Sequence, residues 1–333
     1  MTRLIVAAGG WGDAVAAAML DASLYGNEDN RAVILTYAWD RLLVDPLPGP
    51  RGPSDFTGLE PLTPAVWSVP ADARPIAPAG STLPRLAAEL PHTFALIDPH
   101  RGVEGVTRQL KQLVSHLEPT SIDLVDVGGD ILARGDEPTL KSPLADALAL
   151  AACFQVNAPI RLLVAGPGLD GELPLDEVRG LLGPLVHTFT AKDTEPVSSV
   201  LEWHPSEATG MLAATARGVR GVCEVRDAGL SIPLTDGGPT VHEVNLDEAL
   251  SRNELARVIL STTSLDEVEA RSREVCGYSE IDYERNKAAW LKDQPAVKLD
   301  PGIVLSQLDD FEHDARSRGV TQKPYSYRSR GRF

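Results

Sequence analysis

The stretch that decides the fold is Ile122–Phe154, IDLVDVGGDILARGDEPTLKSPLADALALAACF. Ile122–Val127 has the length and composition of a buried strand, and it closes on Asp126, Gly128, Gly129 and Asp130. A polar loop carrying Arg134, Asp136, Glu137 and Lys141 follows. Ser142-Pro143 then opens a helix, with serine at the N-cap and proline in the first turn. Strand, glycine loop and helix in that order form the repeating unit of a parallel α/β sheet.

The same unit recurs on both sides. Leu4–Ala8 reads as a core strand, followed by Gly9-Gly10-Trp11-Gly12-Asp13 and an alanine-rich helix. Ala32–Tyr37 and Phe94–Asp98 read as strands, and Val103–Leu117 has the apolar spacing of an amphipathic helix. Downstream, Ile160–Ala165 leads into GPGLDGE (166–172), and Leu175–Leu182 resumes as helix. Ser198–Trp203 reads as a strand running into His204-Pro205-Ser206-Glu207 and a small-residue helix, and Val219–Val225 and Val241–Leu246 complete the strands. Between residues 45 and 84 prolines and glycines crowd the chain, a composition typical of lids, oligomer contacts and surface excursions, and a short helix over Leu83–Leu90 closes it. Ser264 and Glu267 match a capping box, and Ser279 heads a further helix, Ile281–Leu291. The expected architecture is a Rossmann-like, doubly wound, mostly parallel sheet over residues 1–245. A helical part over 246–320 packs on it, and residues 321–333 form a basic tail.

The formal charge is −16, from 47 acidic and 31 basic residues, a field that repels nucleic acid and anionic membranes. No apolar run reaches the length of a membrane span, and the N-terminus reads as a core strand, not a signal peptide. Cys153, Cys223 and Cys276 are far apart and match no disulfide framework or zinc ribbon, which fits a reducing cytoplasm. Cys153 and Cys223 lie in apolar runs and read as core. The basic, aromatic tail KPYSYRSRGRF (323–333) reads as a terminus, or as an arm for docking a partner.

In open parallel sheets, ligands bind at the carboxyl ends of the strands, where the strand order reverses. The polar or glycine-rich loops GGWGD, DPHRG, DVGGD, GPGLDGE and HPSE all fall on that side. Turn-forming glycines and aspartates explain any one of them; their coincidence predicts a shared site. In the first, Gly9, Gly10, Trp11 and Gly12 predict a ligand loop before a helix start, although Val15 at the third glycine position departs from a dinucleotide fingerprint. Asp13 is either the N-cap or a contact to a substrate hydroxyl, an amine or a metal. Asp98, His100 and Arg101 are ligand-binding candidates, and His100 and Arg101 could bind an anionic group. Gly128, Gly129, Gly166 and Gly168 allow close approach of a ligand to backbone. Lys141 and Ser142 offer a cation, a hydroxyl and free N–H groups to an anion. His204, Ser206 and Glu207 supply a base, a hydroxyl and a carboxylate, with Ser206 also reading as an N-cap.

Asp126, Asp130, Glu207 and Lys141 are the candidate catalytic residues. Crowded, partly buried carboxylates titrate near the working pH, as acid–base catalysis requires. Asp126 and Asp130, joined by Asp136 or Glu137, could hold Mg²⁺, but no familiar ligand spacing is present and no metal is assigned. No cofactor is assigned either; a nucleotide or Mg²⁺ remains compatible. Neither a G-x-S-x-G elbow, a P-loop nor an H-E-x-x-H pair occurs.

GGWGDAV, DPHRGVEG, DVGGDILARGDEPTLKSPLADA, HPSEATGMLAATARGVRG and EVRDAGLSIPLTD together resemble the bacterial and archaeal family known as domain of unknown function 1152. The resemblance covers roughly residues 1–245, is most specific over Asp126–Asp146, and implies a single Rossmann-like domain without a stated activity. It leaves the proline-rich excursion and the helical C-terminal part outside.

The reading this supports is a small-molecule enzyme that binds a phosphate-, sulfate- or carboxylate-bearing metabolite. Carboxylate acid–base chemistry would drive group transfer, or elimination or intramolecular displacement of the anionic leaving group. The abundance of Ala, Gly, Pro and Arg is that of a GC-rich bacterium, a setting for specialised, natural-product metabolism. The alternative is a non-catalytic ligand-binding module or one subunit of a heteromeric enzyme, with a second subunit or a further copy as partner.

Overall fold

A computed structural model describes residues 2–26, 32–225 and 230–293, so the 321–333 tail lies outside the described residues. One mixed sheet carries nine strands: β1 (Arg3–Ala7), β2 (Val33–Tyr37), β3 (Glu60–Thr63), β4 (Val66–Ser68), β5 (Thr93–Ile97), β6 (Ser121–Val127), β7 (Arg161–Ala165), β8 (Leu185–Thr188) and β9 (Thr240–Val244). Their order across the sheet is β8-β9-β7-β6-β1-β2-β5-β4-β3. The five central strands, from β7 to β5, are parallel, and both flanking pairs run antiparallel. From β1 the chain moves outward to β2 and β5, then returns to the other side of β1 to lay down β6. The strand order therefore reverses between β1 and β6.

Strand alternation sends neighbouring side chains into two cores. Leu4, Val6 and Leu124 enter one layer; Ile5, Ala7 and Val125 enter the other. The first is covered by α2 (Gly102–Leu117), α3 (Pro143–Phe154) and the C-terminal helices α5 (Leu265–Cys276) and α6 (Glu280–Asp293). The second is covered by α1 (Trp11–Tyr25), the Leu83–Glu89 helix and α4 (Glu207–Ala216). Every residue of α3 from Pro143 to Cys153 is buried, and Asp146 is its one charged member. Each of its leucines contributes about 1.5–3 kcal/mol of burial.

Four expectations need correction. Ser198–Trp203 is not a strand: Ser198–Leu201 is a short helix after a 3₁₀ segment. Val197, Val200 and Leu201 recur at helical spacing and pack on the second core, while Ser198 and Ser199 face solvent. The strand of this region is β8, an edge strand whose Leu185 is 58% exposed and which carries no apolar signature. Gly221–Val225 is a strand, but it pairs with Leu230–Leu234 in a separate two-stranded hairpin. Cys223 there is half-buried, whereas Cys276 belongs to the core with Cys153. The 45–84 excursion is no mere surface loop, because its β3–β4 hairpin extends the main sheet beside β5.

Candidate functional site

Carboxylates gather where the strand order reverses. Asp126 projects from the end of β6, Asp13 from the first turn of α1, and Asp146 from the first turn of α3. One oxygen from each of these three lies within 4.8 Å of the others. Asp130 follows in the 3₁₀ turn Asp130–Leu132, and Asp170 and Glu172 come from the loop after β7. The β6 and β7 loops lie side by side, with the Gly128 N–H donating to the Ala165 carbonyl (2.9 Å) and the Gly168 N–H to the Gly128 carbonyl (2.6 Å). Gly128 has φ +117°, and a Cβ there would stand 2.2 Å from Asp170 Cγ. At Gly9 a Cβ would stand 3.0 Å from Asp13 Oδ2 and 3.3 Å from Asp146 Oδ2. These two glycines make room for the protein's own carboxylates.

The three clustered aspartates are 8% (Asp13), 1% (Asp126) and 2% (Asp146) exposed. Asp13 Oδ2 accepts the Gly9 N–H at 2.7 Å. Neither oxygen of Asp126 has a hydrogen-bond partner, nor has Asp146 Oδ1 or Asp170 Oδ2. At 4.8 Å, the outer limit of their spacing, two ionised carboxylates repel by about 3.5 kcal/mol at an effective dielectric constant of about 20. Ionising all three with nothing between them is therefore strongly disfavoured. Burial pushes Asp13 up to about 7 against the backbone N–H groups that favour its charged form. Burial, then the charge of Glu172, pushes Asp170 up to about 8. Burial and neighbouring carboxylates hold Asp126, Asp130 and Asp146 well above the ordinary range. Such a cluster can hold protons, or close around a hard cation through Asp13, Asp126 and Asp146.

Of the expected site residues, Gly9, Asp13, Asp126, Gly128 and Asp130 come together here. Gly10 takes the N-cap position of α1 with φ +102°, so Asp13 is not the cap. Trp11 opens α1; its side chain lies outside the described residues. A Cβ on Gly12 would meet Ser206, whose hydroxyl caps α4 by accepting from the Thr209 N–H. Gly129 packs against Val178, and Gly166 and Gly168 against Leu169 and Leu175, so these three face apolar side chains. Glu207 pairs with Arg41 at 3.6 Å. Burial pulls His204 down to about 4, and its Nδ1 faces the Ser206 N–H at 3.4 Å.

The helix start at Ser142 already has an anion: Glu172 accepts from the Lys141 and Ser142 N–H groups and from the Ser142 hydroxyl. Asp98 accepts from both the backbone and the ring of His100. His100 lines a cleft of about 300 Å³ with Arg51, Glu269 and Arg285, and none of the six carboxylates lines it. Arg101 is exposed. Asp136 and Glu137 do not join Asp126 and Asp130. Asp136 is 72% exposed beside Arg134, and Glu137 accepts from the Arg134 and Gly135 N–H groups. That expected ligand set does not form, because the polar loop turns away and closes on itself.

The expected site left out Asp146, Asp170 and Glu172. Asp146 reads as a favourable acidic residue in a helix's first turn. The signal that exposes it is its isolation: a single charge in PLADALALAACF, a helix apolar all round and therefore buried.

Among the described residues no helix is long and apolar enough to cross a membrane. Searches of curated proteins and of solved structures gave no match. The family match runs further than the resemblance legible in the sequence motifs and takes in both the 45–84 excursion and the helices through α6. The chain belongs to the family described as Protein of unknown function (DUF1152), whose model matches residues 4–288.

Proposed function

We propose that the protein is an enzyme for a small polar metabolite bearing a phosphate, sulfate or carboxylate, bound where β1 and β6 part. Its reaction is group transfer, or elimination or intramolecular displacement of the anionic group, with carboxyls of the cluster moving the protons. The observation that supports this is the convergence of Asp13, Asp126, Asp130 and Asp146, from four separate elements, on the reversal point of the sheet. A fold needs no such group for stability, since buried carboxylates without partners cost free energy. Asp130, at the end of the β6 loop, takes the proton from the attacking or adjacent atom. The leaving oxygen departs with its bonding pair. Asp170, only partly buried, passes the proton on to solvent.

The test is a thermal-shift screen of phosphorylated, sulfated and carboxylated metabolites, with mass detection of turnover for each ligand that stabilises the chain. Asp130→Asn is expected to lower turnover by about 10²–10⁴-fold while ligand affinity changes little. Turnover by Asp130→Asn at the wild-type rate overturns the assignment. Ligands that bind the wild type and are never converted overturn the enzyme reading in favour of a binding module.

A further inference from the structure

We propose that Asp13, Asp126 and Asp146 form a binding site for one hard divalent cation of the Mg²⁺, Mn²⁺ or Ca²⁺ class. Each offers one oxygen, all within 4.8 Å of one another, from three rigid elements: α1, β6 and α3. Opposite oxygens around Ca²⁺ stand about 4.6–5.2 Å apart, and around Mg²⁺ about 4.0–4.2 Å, by doubling the metal–oxygen distances. The triad's separations, at most 4.8 Å, fall within the span of a Ca²⁺ coordination sphere, and a smaller ion such as Mg²⁺ would draw the three oxygens closer together.

An independent observation comes from the other buried carboxylates. Asp21 is held by Arg3 and His92, Asp40 by Thr82, Asp123 by Arg161, and Glu269 by Arg273 and Arg285. Glu137 and Glu172 accept backbone N–H groups. Asp126, 1% exposed and lying within the triad, has no partner for either oxygen, and Asp146 Oδ1 has none. A chain that satisfies its buried carboxylates elsewhere leaves this set open toward a cation.

The inference deepens the proposed function and shares its site, but it does not depend on turnover. A bound cation leaves coordination positions for the oxygens of a phosphate, sulfate or carboxylate, and so reconciles an anionic metabolite with a site built of carboxylates.

The experiment uses the full chain, stripped with a chelator and titrated with Mn²⁺ by electron paramagnetic resonance, and with Mg²⁺ and Ca²⁺ by calorimetry. One Mn²⁺ per chain is expected, together with a rise in Tm on loading. Asp126→Asn and Asp146→Asn should each weaken binding at least tenfold and abolish the rise in Tm. Stripped, both should melt no lower than stripped wild type, because each removes a repelling charge. Asp136→Asn, on the exposed loop, should bind as wild type does. Should Asp126→Asn not fold, Asp13→Asn carries the same comparison. Wild type that takes up none of the three ions overturns the proposal, as do triad variants that bind with unchanged affinity. Stabilisation by methylammonium but by no metal also overturns it. Any of these leaves the proton-transfer reading standing, because Asp130→Asn is scored on turnover and metabolite affinity, not on metal uptake.

Discussion

The contact between Gly128 and Asp170 gives a prediction whose two components can be measured separately. Gly128→Ala places a Cβ 2.2 Å from Asp170 Cγ and 2.5 Å from Asp170 Cβ, where ordinary contact begins at 3.4 Å. The new Cβ stands well inside ordinary contact at both atoms, and overpacking of this kind costs about 1–3 kcal/mol. Independently, φ of +117° at a residue with a side chain costs about 1–3 kcal/mol. The single variant should therefore lose about 2–6 kcal/mol. Asp170→Gly removes the obstructing side chain. Its own cost, about 0.5–1 kcal/mol of backbone entropy, is opposed by relief of repulsion from Asp126 and Glu172. In Gly128→Ala/Asp170→Gly only the φ strain remains, so the double-mutant cycle should show a coupling of about 1–3 kcal/mol. Urea unfolding of the four proteins at pH 7.5, with m-values checked for constancy, measures it. A coupling below about 0.5 kcal/mol would mean that Asp170 does not pack on Gly128, and the account of why this glycine is needed would fail.

Three further outcomes are expected. Burial alone would raise Asp21, but its hydrogen bonds to His92 and Arg3 outweigh burial and hold it at about 2, below its ordinary 3.8. Its stabilisation is therefore present above pH 3.8 and lost as pH falls through 2, amounting to about 2 kcal/mol at pH 7 and about half that at pH 3. The destabilisation of Asp21→Asn in urea should shrink correspondingly between these pH values, and a constant penalty would contradict the linkage. Glu269, 2% exposed, takes charge-assisted hydrogen bonds from Arg273 and from both terminal nitrogens of Arg285. Because the arginines are half-exposed, Glu269→Ala should cost about 2 kcal/mol, seen as a lower Tm with α5 and α6 loosened from each other. Ser206→Ala removes the cap of α4 and should cost about 1 kcal/mol in the same measurement; no change would show that the Gly12 contact, not the cap, holds that helix start.

The central sheet was legible because its parallel strands are short apolar runs, and all but β2 lead through a glycine- or aspartate-bearing loop into a helix. Leu4–Ala8, Phe94–Asp98 and Ile160–Ala165 stand within one residue of the observed strands. The antiparallel margins were legible only in part: Val241–Leu246 overlaps β9, but the remaining marginal strands escaped the reading. Leu185–Thr188 and Glu60–Thr63 pair on one side and lie largely in solvent, so neither alternation nor apolarity marks them. Asp126, Asp130 and Asp13 stood out because they sit beside glycines at strand ends. Ser142 stood out as well, and its N-cap position was right, but the anion it faces is Glu172, thirty residues further along the chain. No local pattern announces a partner that distant; only the adjacency of β6 and β7 brings it there.

Two aspartates in one strand show why the cluster is not a by-product of folding. Asp123 and Asp126 both lie in β6, three residues apart and hence on opposite faces, each 1–2% exposed. Asp123, toward the entry end, sits against Arg161, which donates through Nε and a terminal nitrogen at 2.7 and 3.0 Å. The neighbouring strand thus supplies the cation that a buried carboxylate needs. Asp126 lies opposite Val164 on that same neighbouring strand, and the side chains gathered around it, Asp13, Asp130 and Asp146 among them, are further acids. A hydrophobic residue at 126 would suit the core formed by Leu124 and Leu144. The same strand has the means to satisfy an aspartate at one end and gathers unsatisfied ones at the other, at the edge where parallel sheets bind their ligands. The free energy forgone at Asp126 is thus the strongest physical argument for placing the proposed site at this edge and not in the His100 cleft.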